Sequence, residues 1–160
     1  MKVKVTPSKV HGNVKIPASK SMAHRALICA SLSDGTSIVS NVTNSKDIEA
    51  TVGCMKALGA IIKQIDETTY EVTGTNLFKQ EGNITCNANE SGSTLRFLIP
   101  LAACTNAKVK FLGQGRLLQR PMDVYANEFK KQNIEFNQSD KEIIVSGNLQ
   151  AKDYVVQGDI

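Results

Sequence analysis

Hydrophobic and polar positions follow the same order twice along the chain. The segment SKSMAHRALI, which contains Arg25, is matched about 70 positions later by ESGSTLRFLI, which contains Arg96. The segment YEVTG, ending at Gly74, is matched in the same way by IIVSG, ending at Gly147. A period of this length predicts two copies of one supersecondary unit.

Each copy predicts the same succession of strands and helices, because alternating apolar positions indicate strands and apolar positions three or four apart indicate helices. The first copy predicts a strand over 14–16, a helix over 22–32, a strand over 37–40, a helix carrying Ile48, Val52 and Met55, and strands over 61–65 and 70–72. The second copy predicts a strand over 84–87, a helix over 93–104, a strand over 109–112, a helix carrying Met122, Tyr125 and Phe129, and strands over 134–136 and 143–145. The unit is therefore β-α-β-α-β-β, and the fold class is α/β (α+β).

Residues at the predicted helix ends agree with this assignment. Asp47 and Glu49 suit the first turn of the second helix of the first copy, where the helix dipole favours negative charge. Pro121 suits position N1 of the corresponding helix in the second copy. Gly59 aligns with Asn133, and both residue types tolerate the left-handed conformation that ends helices.

Apolar positions outside the two copies indicate a larger architecture. Val3 and Val5 alternate with polar residues, which predicts a lone strand, and Tyr154 and Val155 resemble the start of a third unit. Because a lone strand needs a sheet, we expect the 160 residues to be part of a longer polypeptide. The predicted organisation is a strand of another domain (1–13), two repeats within 14–152 (about 14–80 and 81–150) and a truncated third repeat (153–160).

The composition excludes several classes of protein. Hydrophobic residues make up 41% and charged residues 21%, which is typical of a globular chain and not of a disordered one. No apolar run approaches the roughly 20 residues of a membrane span, and the N-terminus has no apolar signal segment. The four cysteines form no C-x-x-C pair, which favours reduced thiols in a cytoplasmic protein. His11 and His24 have no metal-ligand spacing, so no metal is expected.

The charge favours a small anionic ligand over a nucleic acid. The net charge is +4, aromatic residues are only 5%, and no block of like charges occurs. Nucleic-acid binding is therefore not expected, since neither a basic stripe nor an aromatic platform is present.

The first candidate anion-binding loop precedes the first helix. Ser19 or Ser21 can cap that helix, and the Lys20 ammonium lies at its N-terminus, where backbone N–H groups attract anions. Arg25 follows within two turns and adds a bidentate donor. The alternative is a plain capped helix in which Lys20 is solvated and Arg25 pairs with a surface carboxylate.

The second loop occupies the equivalent place in the second copy. Gly92 would let a ligand approach the backbone closely, and Ser93 or Thr94 would cap the following helix. Glu90 lies just before this turn. The alternative is an ordinary capped turn, but two equivalent loops make a shared site more probable than either loop alone.

A third loop places two arginines before a helix N-terminus. Arg116 and Arg120 are unfavourable there with respect to the helix dipole, and such a local conflict marks a candidate functional site. The alternative is two exposed loop arginines. Motifs for a nucleophile elbow and a P-loop are absent. His24 is expected either to pack between helices or to provide a polar group on the substrate side, rather than to act as a base.

Three segments together resemble the 5-enolpyruvylshikimate-3-phosphate synthase family: PASKSMAHRALICASL, ESGSTLRFLIPLA and RLLQRPM. The resemblance covers essentially the whole chain. It implies the enolpyruvyl transferase fold (an inside-out α/β barrel), in which repeated β-α-β-α-β-β units surround a pseudo-threefold axis with buried helices and sheets outside. The sister UDP-N-acetylglucosamine enolpyruvyl transferases carry Asn-Ala-Ala after their lysine, whereas this chain has Ser21.

The resemblance also implies a reaction and roles for individual residues. The reaction is transfer of the enolpyruvyl group of phosphoenolpyruvate to the 5-hydroxyl of shikimate 3-phosphate in aromatic amino acid biosynthesis. Lys20 would contact both substrates, Ser21 and Arg25 would bind shikimate 3-phosphate, and Gly92 and Arg120 would bind phosphoenolpyruvate. Asp47, Arg96 and Arg116 also match positions of the family, with a less defined role, and Arg96 would organise the cleft. Glu90 is a further candidate, although it stands where many members have Asn.

The same resemblance sets expectations for cofactors and partners. It implies no cofactor, no membrane partner and a monomeric full-length enzyme, with the catalytic proton-transfer groups in another domain, so that this chain alone would be inactive. Gly92 is compatible with glyphosate binding, which makes glyphosate a further candidate ligand. Two alternatives remain beside the UDP-N-acetylglucosamine enzymes: a small-anion-binding module without catalysis, and an RNA-end-processing relative of similar fold.

Overall fold

The computed structural model describes residues 2–9, 11–14 and 16–155. These residues form four helices and seven strands, with two short 3₁₀ turns (Leu77–Lys79 and Leu117–Gln119) in the connections. In chain order the elements are α1 (Lys20–Leu32), β1 (Thr36–Val39), α2 (Lys46–Ala57), β2 (Ile61–Gln64), β3 (Tyr70–Thr73), β4 (Glu81–Asn87), α3 (Gly92–Ala102), β5 (Asn106–Leu112), α4 (Asp123–Lys130), β6 (Glu135–Gln138) and β7 (Ile143–Ser146).

The strands form two sheets with matching topology. The first sheet has the order β1-β3-β2, with both pairings antiparallel. The second has the order β4-β5-β7-β6, in which β5, β7 and β6 repeat the antiparallel arrangement of β1, β3 and β2. In addition, β4 pairs with β5 in parallel. The repeated unit is therefore present in the pairing of the strands as well as in the order of the elements.

Three predicted strands are not formed in the described part of the chain. Residues 2–9, which contain Val3 and Val5, have no strand, and Val14 and Ile16 lie outside any strand with more than four-fifths of their surface exposed. An isolated strand leaves its backbone N–H and C=O groups without partners, so apolar alternation alone does not form one. Tyr154 and Val155 are likewise irregular, and residue 156 lies outside the described residues. The division into domains stays a prediction.

Two helix ends confirm one expectation and correct another. Gly59 and Asn133 both adopt positive φ angles, of 101° and 57°, in the turns that follow α2 and α4. Pro121, by contrast, is not the first residue of α4, which begins at Asp123. The reason is that Met122 has a φ of −127°, which is not helical, and so separates the proline from the helix.

The core lies between the helices and one face of each sheet. In β5 the buried residues Val109 and Phe111 alternate with the more exposed Lys108 and Lys110, so the strand turns one face inward. The two units share a single hydrophobic core, to which residues such as Leu27, Ile48 and Leu95 contribute fully buried side chains. Burial of each such side chain contributes about 1.5–3 kcal/mol. The helices thus pack with their apolar faces against the inner faces of the two sheets.

Within the described residues, no helix combines the length and the hydrophobicity that a membrane crossing requires.

Candidate anion-binding site

The N-termini of α1, α2 and α3 come together at one end of the molecule. The Lys20 Nζ atom lies 2.6 Å from Asp47 Oδ2, and one turn further along, His24 Nδ1 lies 2.7 Å from Thr51 Oγ1. In both pairs the two residues are 27 positions apart in sequence. The helices α1 and α2 therefore run parallel and in register. The Oγ1 atom of Thr94, in the first turn of α3, lies 2.7 Å from Thr51 Oγ1. The third helix therefore starts beside the other two.

Serine caps define these helix starts. The hydroxyls of Ser19, Ser45 and Ser91 each accept a hydrogen bond from the backbone N–H of the third residue of α1, α2 and α3, respectively. Ser19 was one of two residues expected to cap α1. The expectation of Ser93 or Thr94 as the cap of α3 is wrong, because α3 begins at Gly92, one residue earlier than predicted.

At each of these N-termini the first backbone N–H groups have no intrahelical partner, and the serine cap satisfies only one of them. Aligned peptide dipoles add a partial positive charge at each N-terminus, and three such ends lie side by side here. Bringing like ends together is unfavourable in the absence of negative charge. The arrangement therefore favours an anion at this end of the molecule.

Lys20 is paired in the structure but remains accessible. Its side chain is 55% exposed and that of Asp47 is 31% exposed. Asp47 lies in the first turn of α2, where the helix dipole stabilises its carboxylate. An ion pair this exposed contributes only about 0–1 kcal/mol, so a more highly charged anion can displace it.

Arg25 is held between two helices. Its Nη1 atom donates a hydrogen bond of 2.9 Å to the backbone oxygen of Ser21, one turn earlier in α1. Its guanidinium carbon lies 4.9 Å from the centre of the Phe97 ring in α3. Both Ser21 and Arg25 are exposed, so the fixed guanidinium is available to a ligand.

The loops after β4 and β5 meet because these strands are parallel neighbours. Asn87 and Leu112, at their carboxyl ends, are paired, and the N–H of Gln114 donates a 2.6 Å hydrogen bond to the backbone oxygen of Asn89. The Arg120 guanidinium, beyond the end of β5, lies close to Gly92 at the start of α3. A Cβ atom at Gly92 would collide with its Nη1 atom. The structure thus brings together Gly92 and Arg120, which are far apart in sequence.

Arg116 and Arg120 share a cleft of about 340 Å³ with Gln119 and Pro121. Both arginines are exposed. Among the described residues, neither arginine forms a salt bridge with a carboxylate.

Glu90 lies opposite the β5–α4 loop. A Cβ atom on Gly115 would lie 2.7 Å from Glu90 Oε1, and Gly115 has a φ of 58°, so both the space and the backbone conformation favour glycine there. Glu90 also borders a cleft of about 480 Å³ beside the anion-binding end, lined by Lys46, Asp47, Glu49, Asn89, Glu90 and Gln114.

Arg96 is exposed on α3, and its backbone oxygen accepts a 2.9 Å hydrogen bond from the Tyr125 hydroxyl of α4. Its guanidinium takes part in none of the salt bridges formed by the described residues. Arg96 shares α3 with Gly92 and with Phe97, the ring that Arg25 contacts.

His24 packs in the core, as its place on an apolar helix predicted. Its ring is fully buried, and burial lowers the pKa of the imidazole below its ordinary value. The Asp47 carboxylate opposes this pKa shift, while Lys20 and Arg25 add to it. The neutral ring has one nitrogen on Thr51, and its Nε2 atom has no hydrogen-bond partner.

Thr51 and Thr94 were missed as site residues by reasoning from sequence. Both are fully buried within helices, where threonine is usually placed with its hydroxyl toward solvent or the preceding turn. A polar residue at a position that the helical period assigns to the core was the available signal.

Metal ligands are not clustered. No group of three or more histidine, cysteine, aspartate or glutamate side chains with the geometry to hold a metal ion occurs in the residues that the structure describes. The four cysteines, Cys29, Cys54, Cys86 and Cys104, are free thiols.

Comparison with known proteins identifies similar sequences and a similar fold. Residues 4–160 match the family model described as EPSP synthase (3-phosphoshikimate 1-carboxyvinyltransferase). The chain is 45% identical to a 3-phosphoshikimate 1-carboxyvinyltransferase of Clostridium perfringens (strain SM101) over 161 residues, and 45% identical to that of Clostridium kluyveri over 160 residues. These matches cover 99% of this chain but only 38% and 37% of the relatives, so the chain spans less than two fifths of their length.

A solved EPSP synthase from Acinetobacter baumannii has a similar fold, with a TM-score of 0.76 at 18% sequence identity. The superposition covers 89% of this chain and 33% of that one. At this level of identity the likeness concerns the fold alone, and it agrees with the predicted class of repeated α/β units.

Proposed function

The chain belongs to the EPSP synthase (3-phosphoshikimate 1-carboxyvinyltransferase) family, and on this premise we propose that it supplies the anion-binding helix ends of such an enzyme. The substrates are shikimate 3-phosphate and phosphoenolpyruvate, and the reaction moves the enolpyruvyl group to the 5-hydroxyl of the former. The observation that supports this is the convergence of three helix N-termini with Lys20, Arg25 and Arg120 at one end of the molecule.

The placement of the side chains supports a division of labour between two subsites. Ser21 and Arg25 lie together on α1 and form the shikimate 3-phosphate side. Gly92 and Arg120 touch one another at the start of α3 and form the phosphoenolpyruvate side. Lys20 lies at the N-terminus of α1, from which its flexible ammonium serves both anions once it leaves Asp47.

The remaining candidate residues have supporting roles in this proposal. Asp47 holds Lys20 until an anion arrives, and Arg116 adds positive charge to the cleft of Arg120. Glu90 packs against Gly115 and so sets the path of the loop that carries the arginines. Arg96 organises α3, whose backbone it joins to α4 through Tyr125.

The proposed chemistry depends on alignment and charge. The 5-hydroxyl gives up its proton to a base as its oxygen adds to the central carbon of phosphoenolpyruvate. The methylene carbon takes up a proton, and a tetrahedral intermediate results. Loss of inorganic phosphate and of one methyl proton then restores the double bond. Fixed positive groups hold the two anions in a reactive orientation and stabilise charge on the phosphate that leaves.

The proton-transfer groups of the reaction are proposed to lie in the part of the relatives that this chain does not match. We therefore propose that the 160-residue chain binds anions but has no synthase activity alone. No metal or organic cofactor takes part in the proposed reaction. The four free thiols support a cytoplasmic location, and glyphosate is a further proposed ligand of the Gly92 side.

Calorimetric titration with shikimate 3-phosphate tests the binding role. We expect a saturable heat for the unaltered chain and an affinity at least about tenfold lower for Lys20→Ala, since a charge-assisted contact is lost. Lys63→Ala is the matched control, because Lys63 also forms an exposed ion pair, with Glu71 at 3.7 Å, on a sheet edge. Equal affinities of the unaltered chain and Lys20→Ala would remove Lys20 from the site.

Two further measurements separate the alternatives. Release of phosphate from the substrate pair at enzymatic rates by the chain alone would contradict the proposed division of the activity. Binding of UDP-N-acetylglucosamine in place of shikimate 3-phosphate would favour the sister enzymes, and RNA binding with a steep salt dependence would favour the RNA-end-processing relatives.

A further inference from the structure

A chain of buried side-chain hydrogen bonds connects the three helices behind the proposed site. It runs from His24 Nδ1 to Thr51 Oγ1, on to Thr94 Oγ1 and then to Ser91 Oγ, and each step is 2.7 Å long. The first three side chains are fully buried, and Ser91 is 2% exposed. The chain thus begins in the middle of α1, crosses α2 and ends at the cap of α3, next to Gly92.

The direction of the hydrogen bonds depends on which imidazole nitrogen carries the proton. With the proton on Nδ1, His24 donates to Thr51, Thr51 donates to Thr94 and Thr94 donates to Ser91. The Thr94 hydroxyl also lies 3.3 Å from the backbone oxygen of Asp47, but the 2.7 Å contact with Ser91 is the shorter of the two. With the proton on Nε2, the direction is reversed and the Nε2–H group is left buried without an acceptor. Buried N–H donors without partners are rarer in proteins than under-used acceptors, so the Nδ1–H tautomer is favoured.

This tautomer has a consequence at the start of α3. Ser91 Oγ then accepts two hydrogen bonds, from Thr94 Oγ1 at 2.7 Å and from the Thr94 backbone N–H at 3.2 Å. Its own hydroxyl hydrogen is uncommitted and lies one residue before Gly92. The cap of α3 is therefore held from within the core, and the hydrogen bonds of the described residues leave the Ser91 hydroxyl hydrogen unused.

We infer that His24 is a positioning residue of the anion-binding site, which acts through Thr51 and Thr94 to fix the place and the hydroxyl direction of Ser91 at the start of α3. The inference rests on the proposed function only in that the ligand is an anion bound at these helix ends. Any phosphate-bearing ligand depends on the same placement, so inorganic phosphate is a sufficient probe.

The first test concerns the histidine itself and needs no ligand. Nitrogen-15 NMR of the imidazole at pH 7.5 is expected to show His24 as a neutral ring protonated on Nδ1, with the proton shared toward Thr51. The spectrum is assigned by comparison with a His11→Gln variant, in which only His24 remains. A ring protonated on Nε2 would overturn the proposed direction of the chain.

The second test breaks the chain without changing its shape. Thr51→Val removes the central hydroxyl, and we expect inorganic phosphate to bind about tenfold more weakly, as loss of one buried hydrogen bond implies. Thr51→Ser keeps the hydroxyl and is expected to retain affinity within about twofold. Thr105→Val is the matched control, because Thr105 is equally buried but hydrogen-bonds only to the nearby backbone of Ala102 and Ala107.

The outcomes distinguish this inference from the proposed function. Absence of phosphate or substrate binding by the unaltered chain contradicts the proposed function and the inference with it. Normal binding by the unaltered chain and equal affinities of Thr51→Val and Thr105→Val contradict the positioning role alone. All affinities are measured well below each variant's Tm, so that a loss of stability does not count as a loss of binding.

Discussion

The Lys20 ammonium lies 2.6 Å from the Asp47 carboxylate at the point where α1 and α2 begin side by side. The pair places the flexible lysine over two helix N-termini and neutralises it there. An incoming phosphate must therefore compete with Asp47 for the ammonium and approach a like charge as well. The ion pair is a built-in competitor of the ligand.

Replacement of this carboxylate is predicted to strengthen the binding of simple anions. We expect Asp47→Asn to bind inorganic phosphate about fivefold more tightly, since removal of one partly screened charge near 4 Å is worth about 1 kcal/mol. The change in the free energy of unfolding should stay within about 1 kcal/mol, because the pair is exposed. Calorimetry and urea denaturation measure the two quantities. Glu71→Gln, which removes an equally exposed carboxylate partner of Lys63, should leave phosphate affinity unchanged.

A weaker affinity of Asp47→Asn would contradict this prediction. It would mean that the carboxylate guides the lysine toward the ligand instead of competing for it.

The contact between Gly92 and Arg120 predicts a selective effect of a single methyl group. In Gly92→Ala the new Cβ atom meets only the end of the flexible Arg120 side chain, so the fold should be retained while the guanidinium moves away. We expect phosphoenolpyruvate to bind about tenfold more weakly, as loss of a charge-assisted hydrogen bond implies.

Gly53→Ala provides the matched control for this substitution. Gly53 lies within α2, and a Cβ atom there would meet nothing within 4 Å. The variant should bind phosphoenolpyruvate normally and gain about 0.5–1 kcal/mol in the free energy of unfolding, because alanine favours a helix interior over glycine. Unchanged phosphoenolpyruvate affinity in Gly92→Ala would show that Arg120 does not bind this ligand from its observed position.

Several local features of the fold follow from the sequence because the deciding physics is local. Gly59 and Asn133 both end helical segments with positive φ, as their residue types predicted. Two other predictions were wrong. Pro121 precedes α4 without being its first residue. The alternation of Val3 and Val5 does not form a strand, because a strand needs a sheet with which to pair.

The candidate site was predictable as a set of loops but not as a set of contacts. The repeat placed Lys20 and Gly92 at equivalent ends of two units. The close approach of Arg120 to Gly92, however, depends on the parallel pairing of β4 with β5, and no local sequence pattern specifies that pairing. Thr51 and Thr94 were missed because their hydroxyls are satisfied across helices, and the partner of a buried hydroxyl is a property of tertiary packing.

The Phe97 ring is predicted to pre-organise Arg25 for an anionic ligand. The guanidinium carbon lies 4.9 Å from the ring centre, a distance at which a cation–π contact contributes about 0.5–1 kcal/mol at an exposed site. We expect Phe97→Leu to lower the affinity for shikimate 3-phosphate about two- to fivefold in calorimetry, with the affinity for phosphoenolpyruvate unaffected. Phe78→Leu, at an exposed ring in the first 3₁₀ turn, is the control. An equal loss for both ligands in Phe97→Leu would point to a displaced α3 instead.

Burial of His24 predicts that acid destabilises the fold above the range in which carboxylates titrate. Because burial lowers its pKa below 6.5, the folded state takes up this proton at a lower pH than the unfolded chain does. The unfolded state therefore binds more protons as the pH falls through 6.5, and the free energy of unfolding decreases with a slope from this group of at most about 1.4 kcal/mol per pH unit. Urea denaturation between pH 7.5 and 5.5 should show this slope in the unaltered chain and in His11→Gln, whose histidine is exposed. It should be largely absent in His24→Asn, and an undiminished slope there would assign the acid sensitivity to another group.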